Sequence, residues 1–195
     1  AYTFNVPALF VQDDVDVWSW MSLSAGARVD VHSKYGAFVS PRVAAIYQFT
    51  PNVSAYGSYA RSFRAPTLNE LYRGFRVGNI VTQANEDLRA EYADTFEGGA
   101  AVGMLGRRLN LRGNVFVTRV SDPVVSVTFS ATPTLITRQR QNVGETRTIG
   151  AEVDVEYAIR RDLRFSASYL LVDASVTQFP ANVDLVGKRL PQVAR

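Results

Sequence analysis

Ile149-Gly150-Ala151-Glu152-Val153-Asp154-Val155-Glu156-Tyr157-Ala158 alternates almost perfectly between apolar and polar residues. A strand has a side-chain period of two. Ile149, Ala151, Val153, Val155 and Tyr157 therefore share one face, and Gly150, Glu152, Asp154 and Glu156 share the other. One face is oily and the other carries three carboxylates. A soluble antiparallel protein with one wet face would satisfy this segment equally well. The pattern recurs along the whole chain, however, and the gaps between strands alternate short and long. That combination points to a membrane β-barrel.

Working outward, strands are predicted at roughly 6–17, 19–32, 40–50, 53–64, 91–105, 107–128, 134–160 and 163–178, with another beginning near 189. Trp18-Ser19, Thr50-Pro51-Asn52, Leu105 to Arg107 and Arg160-Arg161-Asp162 read as tight turns. The other connections, at about 33–39, 65–90, 129–133 and 179–188, are longer. Short turns at one rim and long loops at the other are the arrangement of outer-membrane barrels. The same register runs through 41–50, with Val43, Ala45, Tyr47 and Phe49 outward and Arg42 and Gln48 inward. In 107–119, Leu109, Leu111, Gly113, Val115 and Val117 face out, against Arg108, Asn110, Arg112 and Asn114. In 163–171, Leu163, Phe165, Ala167, Tyr169 and Leu171 oppose Arg164, Ser166 and Ser168. Tyr47, Phe49, Tyr157, Phe165 and Tyr169 are expected to form an interfacial aromatic girdle at the short-turn rim.

Composition bounds the alternatives. The chain has 195 residues and a mean hydropathy of −0.04, and no run approaches the ~18 apolar residues of a transmembrane helix. A barrel wall needs no such run, since lipid-facing and lumen-facing residues average to neutral hydropathy. There is no cysteine, so disulfides, thiolate metal sites and a cysteine nucleophile are excluded. The basic residues are nearly all arginine, with lysine only at 34 and 188, and the net charge is +3. So small and evenly mixed a charge does not suggest nucleic-acid binding. The N-terminal residues carry no signal-peptide pattern.

Three motifs carry a family resemblance. The first is Ser40-Pro-Arg-Val-Ala-Ala-Ile-Tyr-Gln-Phe49, followed after the turn by Tyr56-Gly-Ser-Tyr-Ala-Arg-Ser-Phe-Arg-Ala-Pro-Thr-Leu-Asn-Glu-Leu-Tyr72. The second is Asn85-Glu-Asp-Leu-Arg-Ala-Glu-Tyr-Ala-Asp-Thr-Phe-Glu-Gly-Gly99. The third joins Gln141-Asn-Val-Gly-Glu-Thr-Arg-Thr-Ile-Gly150 and its continuation to Tyr157, then Ser166 to Ala174 and Gly187-Lys-Arg-Leu-Pro-Gln-Val-Ala-Arg195. In this order and spacing the chain resembles the distal half of a TonB-dependent outer-membrane receptor, over nearly all its length. The resemblance implies an all-β, antiparallel up-and-down transmembrane β-barrel. This chain would be a partial barrel, with about eight or nine of the 22 strands such transporters carry. Residues 1–195 are then a fragment of the barrel domain, without the plug, the closing strands or the terminal aromatic residue. An open sheet of this size could not stand alone in lipid.

The motifs also read as architecture. Pro66 marks the point where a rising strand leaves the barrel. Gly98 and Gly99 are expected to relieve crowding, and Gly144 and Gly150 to act as bulge or bend positions. The only histidine, His32, lies at a strand end and reads as a surface residue; no Gly-x-Ser-x-Gly is present, and no enzyme is expected. Asp13, Asp14 and Asp16 form an acidic cluster, with Asp14 and Asp16 on one face and Asp13 opposite, and read as a solvated lumen or rim.

The resemblance further implies TonB-energised uptake of a scarce solute, most often a ferric siderophore, without a cofactor or covalent chemistry. Outer-membrane lipid, TonB acting through the plug and a small ligand are the implied partners, and a monomer the implied state. Ligand contacts are expected in the lumen and long loops. Arg64, Tyr72, Arg73, Phe75, Arg76, Arg138, Arg140 and Arg147 are the candidates, because arginine and aromatic groups suit an anionic, planar chelate. The alternative is a passive porin-like barrel or a soluble β-sandwich binding module.

Overall fold

A computed structural model describes residues 3–180 and 183–190. Eight strands form one antiparallel wall: β1 (Ala8–Trp18), β2 (Met21–His32), β3 (Gly36–Thr50), β4 (Val53–Arg64), β7 (Glu91–Met104), β8 (Leu109–Ser121), β11 (Glu145–Ala158) and β12 (Arg164–Gln178). Each pairs with the next in this order, as an up-and-down wall requires. Apart from a 3-10 turn at Val183–Leu185 after β12, the other elements belong to two long excursions from one rim. The first carries α1 (Leu68–Tyr72), β5 (Phe75–Val77) and β6 (Ile80–Gln83), and the second carries β9 (Val124–Ala131) and β10 (Ile136–Asn142). Together β5-β6-β10-β9 make a separate four-stranded sheet in which the two excursions meet through the parallel pair β6–β10. The wall is open, with β1 and β12 at its edges.

The predicted alternation holds across the wall. Val115, Ala151 and Leu171 are cross-strand partners, as are Gly113, Val153 and Tyr169. Phe96 pairs with Tyr59 and with Val117, and Val43 with Tyr59 and Ala25, so one apolar face runs from strand to strand. That face is bare: Val115 is 61% exposed, Val153 51% and Leu171 52%. A soluble sandwich would cover such a face with a second sheet; here the second sheet is built from the excursions at the long-loop rim. The opposite face is polar. Tyr56 donates to Glu97 Oε1, and Asn114 Nδ2 donates to the same oxygen at 3.1 Å.

Several expectations need correction. The strand expected over 107–128 is two strands, β8 and β9, and that over 134–160 is β10 and β11. Both breaks fall at one level. Asp122 has φ +54° and precedes Pro123, which cannot donate to a ladder, while Gly144 has φ +29°. A Cβ on Gly144 would lie 2.0 Å from the Gln178 carbonyl oxygen, so only glycine passes there. The Asp122 N–H donates to the Gly144 carbonyl and the Val143 N–H to that of Pro123, so the two strands leave the wall together. Gly144 is thus the bend that was expected, beside a register shift at Glu145/Thr146. Gly150 is not: its ladders run unbroken, and it sits beneath the Phe116 ring. Of the two glycines read as relieving crowding, Gly99 lies against Tyr56 and Gly98 has room for a side chain.

At the short-turn rim Trp18 and Trp20 stack at 4.7 Å, Trp20 reaches Tyr47 at 4.9 Å, and Tyr47 reaches Phe49 at 4.6 Å. Tyr157 and Phe165 are paired near the same rim. Tyr169 lies four residues up the strand from Phe165, in the middle of the apolar face rather than in the girdle. The tight turns lie where they were expected, shifted by a residue or two, but the connection expected to be long at 33–39 is a three-residue turn, because β3 pairs with β2 from Gly36 onward. The ninth strand begins with Gly187, Arg189 and Leu190 laid antiparallel to β12; its continuation from 191 lies outside the described residues.

Candidate functional site

The long-loop rim is built on helix α1. Pro66 is fully buried just past β4 and ends the ladder, as expected. Thr67 and Glu70 then form a reciprocal capping box, with the Thr67 Oγ1 accepting from the Glu70 N–H and the Glu70 carboxylate from the Thr67 N–H at 2.8 Å. Arg64 joins this helix to the wall. Its guanidinium donates to Glu70 at 3.0 Å and pairs with Glu91 at the start of β7, which also accepts from the Val124 N–H at 2.6 Å. Partial burial pushes the Glu70 carboxyl up, but the Thr67 hydrogen bonds and the Arg64 charge outweigh it and hold it below its ordinary value.

The β2–β3 tip braces the same region. Lys34 Nζ donates to the Tyr72 hydroxyl at 3.3 Å and to the Glu86 carbonyl at 3.0 Å, and Tyr35 donates to the Leu88 carbonyl at 2.9 Å. Burial is the main reason the Tyr35 phenol is pushed up. His32 is not a surface residue as expected. It is 4% exposed, with its ring 4.7 Å from Phe4 and 5.0 Å from Tyr35, and its Nδ1 accepts from the Lys34 N–H. It is a packing residue of the rim.

The loop sheet supplies the cationic surface. Arg138 and Arg140 alternate onto one face of β10, with Thr82 paired to Arg138 and Phe75 paired to Thr82. Arg138 Nε donates to Thr82 Oγ1 at 2.9 Å. The Arg140 guanidinium lies 5.5 Å from the Phe75 ring centre and donates to the Asn69 carbonyl on α1. Arg64, Phe75 and Arg140 are therefore gathered at α1, with Arg138 further along the same face of the loop sheet. Tyr72 lies on the helix, held by Lys34, and Arg73 is exposed at its end. Arg76 is exposed on the opposite face of the hairpin, its Nε donating to the Gly78 carbonyl. Arg147 stands apart from all of these, on the outward face of β11 beside Ile149.

Sequence reading missed the parts that hold this rim together. The Thr67-x-x-Glu70 spacing was a legible capping signature. Asn142 gave no local signal: it accepts from the Arg89 N–H and donates to the Arg89 and Asp122 carbonyls, clamping both excursions. Asn85 similarly donates to the Arg140 carbonyl at 2.8 Å. In β1, Asp14 and Asp16 share the polar face and Asp13 the other, as read. Among the described residues no group of three His, Cys, Asp or Glu could hold a metal ion.

Comparison with known proteins agrees with this architecture. Similar folds include the siderophore receptor PirA of Pseudomonas aeruginosa (TM-score 0.75, 20% identity, 89% of this chain and 37% of that one). A variant of the P. aeruginosa ferric enterobactin receptor PfeA in complex with enterobactin is also similar (TM-score 0.71, 19% identity, 88% and 30%). So is the RagAB peptide importer in its closed-closed state (TM-score 0.71, 18% identity, 89% and 22%). The chain thus spans 22–37% of these structures' length. No curated protein matches by sequence. These neighbours are transport receptors or importers rather than enzymes. The family model for the TonB dependent receptor-like β-barrel matches residues 1–195, and the chain belongs to that family, as a partial barrel.

Proposed function

We propose that this chain forms part of the wall of a bacterial outer-membrane receptor that takes up a ferric siderophore, energised through TonB. The observation that carries the reading is the pairing of a bare apolar wall with a polar inner face and an arginine-aromatic rim, in a chain matched throughout by the family. The solved neighbours that bind siderophores support the ligand class. Lipid contacts the apolar face, and the receptor acts as a monomer. TonB reaches the barrel through a plug domain, and no covalent reaction on the ligand is required.

In this reading an anionic ferric chelate meets the loop sheet from outside. Arg138 and Arg140 supply charge and guanidinium donors, and Phe75 and Tyr72 supply ring faces, while Arg64, neutralised by Glu70 and Glu91, holds α1 in place. Arg73 and Arg76, exposed at the outer edge, draw the anion in by long-range attraction. Arg147 faces away and is left out of this set.

The test is uptake of iron-55 as a ferric catecholate by cells carrying the intact receptor. Wild-type cells accumulate label, deletion of TonB abolishes accumulation while surface binding persists, and Phe75→Ala/Arg140→Ala weakens binding about tenfold. Absence of ferric-siderophore uptake, with saturable binding of oligopeptides instead, refutes the ligand class. Accumulation that survives loss of TonB refutes active transport and restores the passive barrel.

A further inference from the structure

The outward face of the wall changes character one rung above its apolar band. Arg61 pairs with Asp94, Asp94 with Arg119, Arg119 with Arg147 and Arg147 with Ser175, and Arg189 bridges to Ser175. This single row crosses five strands and the segment beyond β12, and carries four arginines against one aspartate. Arg61 is balanced by Asp94 at 3.9 Å, and Arg189 by Asp173 at 2.9 Å. Arg119 and Arg147 are exposed and form no ion pair with any described residue. The strand from Tyr157 at the aromatic rim up to Arg147 is about 33 Å long at ~3.3 Å per residue. At a tilt of about 40° this spans about 25 Å of height, the thickness of a barrel's apolar band. The arginines therefore stand where the hydrocarbon ends and lipid headgroups begin, on the side of the rim given by the long loops.

Directly beneath them lies a groove of about 960 Å³ in the same outward face. Phe96, Ile149 and Leu171 line its walls, and the Gly57–Gly98 cross-strand pair lies in its floor. The nearest atom to a Cβ on Gly57 would be 3.9 Å away and to one on Gly98 3.6 Å away, so the fold does not require either glycine. A glycine inside a strand costs about 0.5–1 kcal/mol against alanine and marks a place where something approaches the backbone closely. Nothing described in this chain fills the space. Asp173 and Arg189 close its upper end.

We propose that this face binds one phosphorylated lipid of the outer leaflet, with an acyl chain in the Gly57–Gly98 groove and its phosphate on Arg119 and Arg147. The site rests on the membrane reading given above, but not on the identity of the transported ligand. Charge complementarity selects the occupant: two unpaired guanidiniums at headgroup level fit a phosphate, and an apolar trough below them fits a chain. A zwitterionic lipid would bring its own cation to the same row and bind less well.

The experiment is native mass spectrometry of the intact receptor, extracted from outer membranes, stripped of lipid in mild detergent and titrated with diphosphorylated lipid A or phosphatidylethanolamine. Wild type binds one lipid A at least tenfold more tightly than phosphatidylethanolamine. Arg119→Gln/Arg147→Gln erases that preference, Arg119→Lys/Arg147→Lys keeps most of it, and Gly98→Leu weakens lipid A binding about tenfold by filling the groove. Arg160→Gln/Arg161→Gln, at the other rim, leaves binding unchanged. Equal binding of the two lipids by wild type, or undiminished lipid A binding by the double glutamine or the Gly98→Leu variant, overturns the site. A co-purifying protein displaced by Gly98→Leu would make the groove a protein interface and also overturn it. Heat-modifiable migration on gels is read in parallel. A protein that migrates as a folded membrane barrel but ignores lipid A refutes only this inference, whereas one that never enters the outer membrane refutes the reading on which it rests.

Discussion

Replacing Asn142 with alanine asks whether the loop sheet is held by a few side-chain clamps rather than by a core of its own. Asn142 makes three hydrogen bonds, accepting from the Arg89 N–H at 2.8 Å and donating to the carbonyls of Arg89 at 3.0 Å and Asp122 at 2.7 Å. Each such bond contributes about 1 kcal/mol net, and partial solvent access at Arg89 lowers the sum to about 2 kcal/mol. That corresponds to about a 30-fold rise in the open population of the clamped segment. Because the bonds join the β7 approach to the point where β8 gives way to β9, the opening is local to the loop sheet. Hydrogen exchange on the intact receptor in detergent should show amides of β9 and β10 exchanging about 30-fold faster, with those of β8 and β11 unchanged. Asn110→Ala, at the opposite rim, serves as the control. Unchanged protection in β9 and β10 would refute the clamp. Equal acceleration in the wall would refute the claim that the two sheets open independently.

Other expectations follow from the same geometry. Gly150→Ala places a Cβ 2.2 Å from the Phe116 ring and 3.0 Å from the Leu171 carbonyl oxygen, and should destabilise the barrel by about 1–3 kcal/mol; Gly98→Ala has room and should be neutral or stabilising by up to about 1 kcal/mol. Heat-modifiability midpoints on gels separate the two, and equal shifts would sink the argument. Glu70 has a folded-state pKa below its unfolded value near 4.5, so its contribution is complete above that value and lost as pH falls through the folded one. Proteolysis within 67–90 should therefore accelerate as pH falls below 4.5 and through the lowered folded-state value, and Glu70→Gln should be fast throughout. Trp18 and Trp20 stack at the short-turn rim, so the fluorescence lost on changing both to phenylalanine should be quenched more by lipids brominated near the headgroup than near the chain end. Deeper quenching would place that rim wrongly in the bilayer.

The wall was legible in the sequence because its code is local. Alternation in segments such as Leu109 to Val117 and Ile149 to Tyr157 fixes which residues share a face, and a one-residue slip would turn the oily set into the lumen. The short turns were legible for the same reason, from Thr50-Pro51-Asn52 and Arg160-Arg161-Asp162. The second long excursion was not. Val124–Ala131 and Ile136–Asn142 keep a strand period, so pattern alone runs them into β8 and β11. What separates them is a positive φ at Asp122, a glycine forced against Gln178, and hydrogen bonds from Asn142 to residues far away in the chain.

The sequence by itself determined the all-β class, the two faces of the wall and the family. These depend on period, turn chemistry and ordered motifs carried within a few residues of one another. Only the tertiary structure decided which arginines stand together. Register across five strands and the segment beyond β12 aligns Arg61, Arg119, Arg147 and Arg189 in one outward row, and the pairing of β6 with β10 brings Arg140 to α1 near Arg64. Neighbourhood of that kind is set by hydrogen-bonded register and loop closure between distant segments, which no local pattern encodes.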